Sequence, residues 1–396
     1  MPTLDRITTD IPAQLREAGF AGWLLYDFRR SNPLAYRILG LGSGGVYTRR
    51  WFYWIPANGE PVKIVSPLEM YNLDGLPGRR VVYHSWRALH ETLAAVLPKG
   101  ERVAMEYSPA AAVPVVSRVD AGTVELVRGF GVEVVSSADL VQFFEARLSP
   151  YQWESHRRAA DRLVEAQQMV AADMAVALRL GRPISEVSVQ RFLADFLAAH
   201  NLVADHGAIV AVNAHASNPH YEPSPQRDTP ICPGDTVLID FWAKVNEPGA
   251  IMADYTWMYH AGEAVPDERA KVFAVAVEAR EAAIAFIRER LAAGQALHGY
   301  EVDDVARGVI AAAGYGEYFV HRTGHSIGED SHGNGANIDN LETQDERRLI
   351  PGSLFSIEPG IYLPQFGVRT EVNVYISDTN EVIVTGVPQR EIELLI

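Results

Sequence analysis

The sequence predicts an α+β protein with two domains, a smaller α/β domain over residues 1–150 and a larger α+β domain over residues 151–396. Three observations support this prediction. A chain of 396 residues is longer than one hydrophobic core usually serves. Strand-like and helix-like stretches alternate in the first third, whereas the rest runs as helix, helix, sheet and again helix, helix, sheet. A long helical pattern from Glu154 marks the junction near residue 150.

The first domain is predicted to form a sheet. Residues 22–26 are apolar, and residues 51–55 are rich in aromatic side chains. Turn residues at 57–60 predict a hairpin that continues into a strand at residues 62–65. The glycines within residues 40–45 predict a flexible loop rather than a phosphate site, because no strand leads into them and no Lys-Ser/Thr pair follows. Further strands are expected at residues 80–83, 103–106 and 132–135.

The second domain is predicted to contain four helices and two strand-rich stretches. The first helix should end at the breakers Gly181-Arg182-Pro183, and the third should end at Gly294. The helices are expected at residues 154–180, 187–199, 267–293 and 302–313, and the strand-rich stretches at residues 208–262 and in the tail to residue 396.

The chain carries an excess of acid. It has 35 Lys and Arg residues against 50 Asp and Glu residues, a formal charge of −15, and it contains no basic run. Such a surface repels nucleic-acid phosphates and anionic lipids, so we expect neither as a partner. Residues 1–10 lack a signal pattern, and no run of 18 apolar residues occurs. We therefore expect a cytoplasmic protein.

A single cysteine, Cys232, rules out an internal disulfide and fits a reducing compartment. Its neighbours are Ile231 and Pro233, with no adjacent histidine. We expect Cys232 to be a small buried residue, the usual situation of a free cysteine.

Two neighbouring apolar runs each contain one acid. Asp240 lies in the first run and Asp254 in the second, with turn residues at 246–249 between them. A hairpin centred on residue 247 would place Asp240 and Asp254 directly opposite each other. Like charges at opposed positions, with Cβ atoms about 4.5–5.5 Å apart, destabilise a sheet unless a cation neutralises them.

A second hairpin repeats the arrangement. Glu358 ends one apolar run and Glu371 lies in the next, on either side of a turn at residues 363–367. A centre in the middle of this turn places the two glutamates opposite each other, and Pro359-Gly360 can bulge the strand between them.

A histidine-rich segment at residues 321–332 lies between the two hairpins along the chain, and it has three interpretations. Residues 324–328 match the G-x-S-x-G of serine hydrolases, but the helix that this motif needs is not predicted after the serine. His321 and His325 have the spacing of a helical zinc pair, but the neighbouring glycines oppose a helix. The third interpretation makes His325 a metal ligand beside the four acids.

Four acids in apolar runs, paired twice, indicate a metal centre. One such acid would ordinarily face solvent or form an ion pair. Oxygen ligands with one imidazole suit Mn²⁺ best, with Co²⁺ or Zn²⁺ as alternatives. Four carboxylates are more than one ion usually needs, so we expect two divalent ions per chain.

Together these residues resemble the metal-dependent pita-bread peptidases, which include methionine aminopeptidase, Xaa-Pro aminopeptidase and Xaa-Pro dipeptidase (prolidase). That family binds two divalent metals through two Asp, a His in Gly-His-x-Ile-Gly, a Glu in Glu-Pro-Gly-x-Tyr and a final Glu. The resemblance covers about residues 155–396 and implies a pita-bread catalytic domain, with residues 1–150 as a creatinase-like domain. The matching ligands here, in the family's order, are Asp240, Asp254, His325, Glu358 and Glu371.

The resemblance also implies roles around the metals. Glu358 would take a proton and return it to the leaving nitrogen. His220 and His332 would bind substrate and stabilise the oxyanion as catalytic groups. His321 would line the pocket, and Arg369 would lie at the substrate site and steady the last glutamate ligand.

The implied activity is hydrolysis of the peptide bond before proline, above all in Xaa-Pro dipeptides, and the implied assembly is a homodimer. An Xaa-Pro aminopeptidase that acts on longer peptides is the alternative. The choice depends on whether Arg322, Arg347 or Arg348 caps the carboxylate of a dipeptide. A creatinase-like C–N hydrolase and a non-catalytic peptide-binding module are further alternatives, but both should have lost some of the five ligands.

The sequence departs from the family pattern beside three of these residues. The family's Asp-x-Gly reads Asp240-Phe241-Trp242 here, and its Ser-Asp-x-Thr-Arg ends in Trp257. Its His-Glu-x-Pro reads His332-Gly333-Asn334-Gly335. Each departure spares the ligand or histidine and changes a neighbour, so we expect an altered pocket shape.

Overall fold

A computed structural model describes residues 5–42 and 44–396. The chain divides into two compact units, Met1–Glu145 and Ala146–Ile396, whereas the sequence places the junction near residue 150. The first four residues of the predicted start, and Ser43 in the predicted glycine-rich loop, lie outside the described residues. Every helix in the described ranges is too short or too polar to cross a bilayer.

The first unit is built on a mixed sheet with the strand order β4-β3-β2-β1-β5-β6. The predicted hairpin is confirmed, since β2 and β3 pair antiparallel with Phe52 opposite Ile64. The strands are β1 (Gly22–Asp27), β2 (Trp51–Pro56), β3 (Val62–Val65), β4 (Arg79–Val82), β5 (Arg102–Met105) and β6 (Glu133–Ser136). The helices are α1 (Ile11–Glu17), α2 (Pro33–Leu39), α3 (Trp86–Val96), α4 (Ala121–Arg128) and α5 (Ala138–Glu145).

Both faces of this sheet are covered. Trp23 and Leu25 of β1 lie in one apolar core, and Leu24 and Tyr26 lie in a second core on the opposite face. Successive side chains of a strand point to opposite faces, so a strand buried on both faces needs a continuous apolar run. The run at residues 22–26 meets that requirement.

The second unit contains four long helices, close to the predicted bounds. The first begins at a capping box, in which the Ser149 hydroxyl and the Gln152 side chain each accept a backbone N–H of the other residue. It ends before Gly181, whose φ of +61° suits glycine. The helices are α6 (Pro150–Arg179), α7 (Glu186–Ala199), α8 (Asp267–Ala292) and α9 (Gly299–Ala312).

Within the described ranges, the strands of the second unit form three sheets. In the first, β16, β10, β9 and β7 follow in that order and β8 also pairs with β9; the others are β11-β14-β15 and β12-β13. The strands are β7 (Leu202–Val203), β8 (Ile209–Val212), β9 (Thr236–Val245), β10 (Ala253–His260), β11 (Leu354–Ile357), β12 (Gly360–Leu363), β13 (Phe366–Arg369), β14 (Val372–Ile376), β15 (Val382–Thr385) and β16 (Glu393–Leu394). Short helical turns of the two units are Arg6–Asp10, Pro67–Glu69, Pro109–Ala111, Pro114–Val116, Asn213–Ser217 and Gly316–Tyr318.

Side-chain alternation along β10 decides where polar groups collect. Tyr255 and Trp257 point into a core shared with α6 and α7. Met258 points the opposite way, into a core shared with α8 and α9. Asp254 and Thr256 lie on the same face as Met258, because they are four and two residues away from it.

The predicted register of the first hairpin is wrong by two residues. Asp240 lies opposite Thr256, and Asp254 lies opposite Trp242, so the two aspartates are diagonal neighbours. The hairpin is centred on residue 248 instead of 247, and its ladder ends at Ala243 opposite Ala253. A shift of two residues preserves the face, so both aspartates still share one side of the sheet.

The predicted register of the second hairpin is confirmed. Ile357 lies opposite Val372 on one side of the two glutamates, and Gly360 lies opposite Arg369 on the other. Glu358 and Glu371 fall in the interruption between these two ladders, and the equal register on both sides shows that Pro359-Gly360 inserts no bulge there.

The prediction of a buried Cys232 is wrong, because the residue is exposed. It opens a turn in which its N–H donates to Asp235 Oδ2 (2.7 Å) and Gly234 adopts a φ of +96°. The apolar neighbour Ile231 occupies the buried position before this turn.

Candidate metal centre

Five elements of the second unit bring the predicted ligands together. Asp240 comes from β9 and Asp254 from β10, while Glu358 directly follows β11 and Glu371 directly precedes β14. His325 lies in an extended segment that bridges to β11 through Ser326 and Phe355. Glu358 is 15% exposed as a side chain, and the other four residues are buried.

The ligand atoms converge on one place. Asp254, His325 and Glu371 each offer a ligand atom within 4.8 Å of the others. His325 Nε2 lies 3.3 Å from Glu358 Oε1 and 3.7 Å from Asp254 Oδ2. Asp240 adjoins them through its diagonal position beside Asp254.

The four carboxylates repel one another in this buried place. Burial raises the pKa of Asp254 well above its ordinary value, and the charges of Asp240 and Glu358 add to the rise. Burial and Asp254 do the same to the pKa of Glu371. The pKa values of Asp240 and Glu358 are also raised by burial, against the opposing charge of Arg369. Four carboxylates in this state favour a bound cation.

Two buried oxygens support the same conclusion. Asp240 Oδ1 and Asp254 Oδ1 have no hydrogen-bond partner among the described residues. Buried carboxylate oxygens are normally paired or coordinate a metal. The donor set of four carboxylates and one imidazole therefore fits divalent metal ions.

His325 is held with its Nε2 towards the acids. Its Nδ1 lies 3.1 Å from the Ser326 carbonyl oxygen, which accepts the Nδ1–H and leaves Nε2 as the ligand atom. The Ser356 hydroxyl accepts the His325 backbone N–H (2.9 Å) and donates to Glu358 (3.1 Å). A Cβ at Gly324 would lie 2.0 Å from the Ser356 carbonyl oxygen, so the close approach of these segments requires glycine.

The extended backbone at residues 324–326 excludes the helical zinc pair and the serine-hydrolase elbow. The Ser326 hydroxyl accepts the Gly335 N–H at 3.0 Å and is buried, so it serves the loop rather than a nucleophilic role.

Arg369 contacts one acid directly and a second acid through a hydroxyl. Its guanidinium binds Asp240 directly and reaches Glu371 only through Thr256, whose hydroxyl accepts from Arg369 Nε (3.0 Å) and donates to Glu371 (2.8 Å). Arg369 also donates to the Tyr362 hydroxyl at 3.0 Å. Although burial opposes it, the charges of Tyr362 and the acids keep the pKa of Arg369 well above its ordinary value.

A cavity of about 330 Å³ opens onto the ligands. His321 lies at its wall, with Nε2 2.6 Å from the Tyr362 hydroxyl. The rings of His332 and His325 are 4.2 Å apart, and His325 and burial lower the pKa of His332 to about 3. His220 is exposed at the cavity. The lining residues are Ile209, Pro219, His220, Asp240, Trp242, Asp254, His321, Arg322, His325, Ser331, His332, Glu342, Glu358, Arg369 and Glu371.

The three candidate arginines have different surroundings. Arg322 lines the cavity, 3.5 Å from His332 Nδ1 and 4.0 Å from Glu342. Arg347 is buried and donates to Asp345 and to two backbone carbonyls. The backbone of Arg348 bridges to His298, and Arg348 does not belong to the described lining of the cavity.

The departures from the family pattern have different consequences. Trp257 points away from the site into the core with α6 and α7, whereas Trp242 lines the cavity. A Cβ at Gly333 would lie 2.8 Å from the Ser326 hydroxyl, and one at Gly335 would lie 2.6 Å from it. The Ser326 side chain thus takes the space that larger residues would need in this loop.

Sequence reasoning missed Thr256, Ser356 and Asp205 as parts of the site. Thr256 lies two residues after Asp254 on the same strand, so the period of two could have found it. Ser356 lies two residues before Glu358 and could have been found in the same way. Asp205 accepts the Trp242 indole N–H across a loop, and no local pattern signals that contact.

The chain is similar in sequence to known proteins. The model of metallopeptidase family M24 matches residues 154–378. A protein of Mycoplasma pneumoniae named "Putative Xaa-Pro aminopeptidase" is 32% identical over 228 residues, which cover 56% of this chain and 60% of that protein. An Xaa-Pro dipeptidase of Lactobacillus helveticus is 36% identical over 164 residues, 41% of this chain and 40% of that protein. The chain spans about half the length of the curated relatives it matches.

The structural comparison covers both units. The crystal structure of dipeptidase PepE from Mycobacterium ulcerans has a TM-score of 0.72 at 24% identity, over 99% of this chain and 98% of that chain. This likeness confirms the predicted fold class, an α+β chain with a pita-bread unit preceded by a smaller α/β unit.

Proposed function

Because the chain belongs to metallopeptidase family M24, we propose that it hydrolyses the peptide bond before proline in Xaa-Pro dipeptides. The observation that carries this proposal is the buried set of four carboxylates and His325 at the floor of a small cavity that also holds Arg322. The L. helveticus relative is named for the same reaction.

Family membership implies divalent metal ions, and we propose two per chain. The ligands would be Asp240, Asp254, His325, Glu358 and Glu371, with Mn²⁺ favoured over Co²⁺ and Zn²⁺ because most ligand atoms are oxygens. Bound there, the ions would acidify water and polarise the scissile carbonyl.

The chain's own groups would handle the proton and the developing charge. Glu358 has a pKa raised by burial, which suits a group that accepts a proton and returns it to the leaving nitrogen. His332 would donate through Nε2–H, because Arg322 can only donate and thereby makes Nδ1 the acceptor. His220 would be the second donor to the oxyanion, from the exposed side of the cavity.

Arg322 supports dipeptides over longer substrates. Its side chain is 19% exposed and lies in the cavity wall, where it could pair with the carboxylate of a P1′ proline. Arg347 is committed to Asp345 and backbone carbonyls, so it is a poor candidate for this role. An Xaa-Pro aminopeptidase is the second candidate, favoured by the M. pneumoniae relative. A creatinase-like hydrolase or a binding module has less support, because all five ligands are intact.

The test compares kcat/KM for Ala-Pro with that for Ala-Pro-Ala in protein loaded with Mn²⁺. We expect the dipeptide to be preferred, and we expect Arg322→Ala to raise KM for Ala-Pro about tenfold or more while leaving KM for Ala-Pro-Ala nearly unchanged. Arg157→Ala, on an exposed face of α6, is the matched control. A preference for the tripeptide would replace the dipeptidase proposal with the aminopeptidase.

The remaining expectations belong to the same proposal. Residues 1–150 would be a creatinase-like domain and residues 151–396 the catalytic domain of a cytoplasmic homodimer. Its partners would be small peptides with proline at P1′, without nucleic acid or membrane. Light scattering of the purified chain would give the mass of the assembly.

A further inference from the structure

Trp242 occupies the position of the glycine in the Asp-x-Gly pattern of the family that the sequence resembles. It lies two residues after Asp240 on β9, directly opposite Asp254 on β10. Opposed residues have Cβ atoms about 4.5–5.5 Å apart, so the indole stands beside the metal ligands. It is half-buried and lines the cavity. The largest side chain available thus fills space that a glycine would leave open.

The indole is fixed at both ends. Its N–H donates to Asp205 Oδ1, in the loop between β7 and β8. The Ser331 hydroxyl donates to the other oxygen, Asp205 Oδ2, at 3.3 Å. The carbon face of Trp242 packs on an apolar cluster that includes Met252 and Ile327. Contacts with three separate segments make this wall rigid, and Ser331 ties it to the loop of His332.

We propose that Trp242, held by Asp205, limits the size of the substrate side chain on the amino-terminal side of the scissile bond. This inference rests on the proposed function, in which proline fixes the P1′ residue and leaves the P1 side chain as the variable group. The cavity of about 330 Å³ is at the small end of ligand sites. A rigid indole beside Asp254 leaves little of that volume for a large P1 residue.

The experiment measures kcat/KM for Ala-Pro, Leu-Pro and Phe-Pro in Mn²⁺-loaded protein. Wild type should prefer Ala-Pro. Trp242→Gly should raise the ratio of Phe-Pro to Ala-Pro about tenfold or more, since apolar pockets discriminate by size over about 10- to 200-fold. Trp242→Phe should give a smaller rise, and Asp205→Ala should raise the ratio by freeing the indole.

A matched control separates the wall from the strand that carries it. Trp257→Phe alters a tryptophan of the neighbouring strand that points to the opposite face, so the ratio should stay at the wild-type value. Because glycine weakens a strand, metal content and melting temperature are measured for each variant. Trp242→Phe and Asp205→Ala keep the inference testable if Trp242→Gly fails to fold.

Two failures are distinguishable. In the first, wild type cleaves Xaa-Pro dipeptides while the folded Trp242 and Asp205 variants keep the wild-type ratio of kcat/KM for Phe-Pro to Ala-Pro. That result would overturn the proposed role of Trp242 and leave the proposed function standing. If wild type cleaves no Xaa-Pro dipeptide at all, the proposed function fails and takes this inference with it. Binding supplies a further readout. Phe-Pro should bind metal-free Trp242→Gly more tightly than metal-free wild type, as followed by quenching of tryptophan fluorescence.

Discussion

Asp254 combines a firmly hydrogen-bonded backbone with a carboxylate in an electrostatically unfavourable place. Asn373 clamps its backbone, because the Asn373 amide oxygen accepts the Asp254 N–H at 3.0 Å and the Asn373 amide N–H donates to the Asp254 carbonyl at 2.7 Å. The carboxylate is nevertheless buried beside other acids, with one oxygen unpaired among the described residues. The fold therefore holds in place a carboxylate whose charged form needs a neighbouring cation.

Replacing this charge should have opposite effects with and without metal. We expect Asp254→Asn to raise the melting temperature of metal-free protein by at least about 2 °C, because it removes like-charge repulsion. The same variant should lose metal and most of its peptidase activity. Differential scanning calorimetry with and without Mn²⁺, together with elemental analysis, checks both expectations.

Asp161→Asn, on an exposed position of α6, is the control for loss of one negative charge. A metal-free Asp254→Asn protein that melts below wild type would contradict the repulsion argument. Full activity in this variant would contradict the metal-ligand role.

At the scale of elements, the start of α7 positions the segment that carries His220. Glu186 is fully buried and accepts the Val212 backbone N–H (2.8 Å) and the Tyr221 hydroxyl (2.7 Å). The His215 ring lies 2.8 Å from the same carboxylate through Nδ1. Glu186 thus holds the segment of residues 212–221 at both ends, and His220 directly precedes Tyr221 at the second end.

Loosening this anchor should impair turnover without loss of metal. We expect Glu186→Gln to lower kcat for Ala-Pro between about ten- and hundredfold, because a small displacement of a catalytic group is costly. Metal content should stay at the wild-type level. Steady-state kinetics and elemental analysis of the purified variant check this, with Asp195→Asn on the exposed face of α7 as the control.

A double-mutant cycle decides whether the effect acts through His220. In a His220→Ala background, Glu186→Gln should reduce kcat little further. Additive losses would mean that Glu186 supports the site by another route.

The two hairpins show what sequence could and could not predict about these elements. The register around Glu358 and Glu371 follows from the turn between them, because the two ladders on either side share it. The register around Asp240 is harder to predict, because residues 244–252 connect the last paired residues, and turn residues fix the register only of much shorter connections. The five candidate ligands could be named because their order along the chain carries the information. The contact between Asp205 and Trp242 could not, because it forms only when separate loops meet.

At the scale of the whole molecule, each unit carries its own core and its own buried acids. Glu106 of the first unit is fully buried and accepts hydrogen bonds from Trp23 (2.5 Å), Asn32 (2.7 Å) and Ser137 (3.3 Å). Burial raises its pKa to about 7, against the opposing effect of these donors. The first unit should therefore have a pH dependence of its own.

The sign follows from comparing folded and unfolded protein. The folded unit keeps the Glu106 proton up to about pH 7, whereas the unfolded chain loses it near its ordinary pKa of 4.5. The contribution of Glu106 to the stability of the first unit should therefore be full below pH 4.5 and should fall by about 3 kcal/mol between pH 4.5 and 7. Hydrogen exchange of peptides from β1 and β5 in the full chain, corrected for intrinsic rates, measures this loss.

Glu106→Gln should flatten this dependence whatever its effect on absolute stability, because the amide does not titrate. Glu133→Gln, an exposed acid on β6, should keep the wild-type slope. An equal slope in the Glu106 variant would assign the pH dependence to other groups.

The exposed position of Cys232 gives spectroscopists a reporter without further engineering. As the sole thiol of the chain, it can take a single nitroxide label, and it lies in the turn that leads into β9 and Asp240. Paramagnetic Mn²⁺ in the same unit would speed the relaxation of that label, whereas diamagnetic Zn²⁺ would leave it unchanged. The nature of the bound ion could then be followed by electron paramagnetic resonance during metal exchange and turnover.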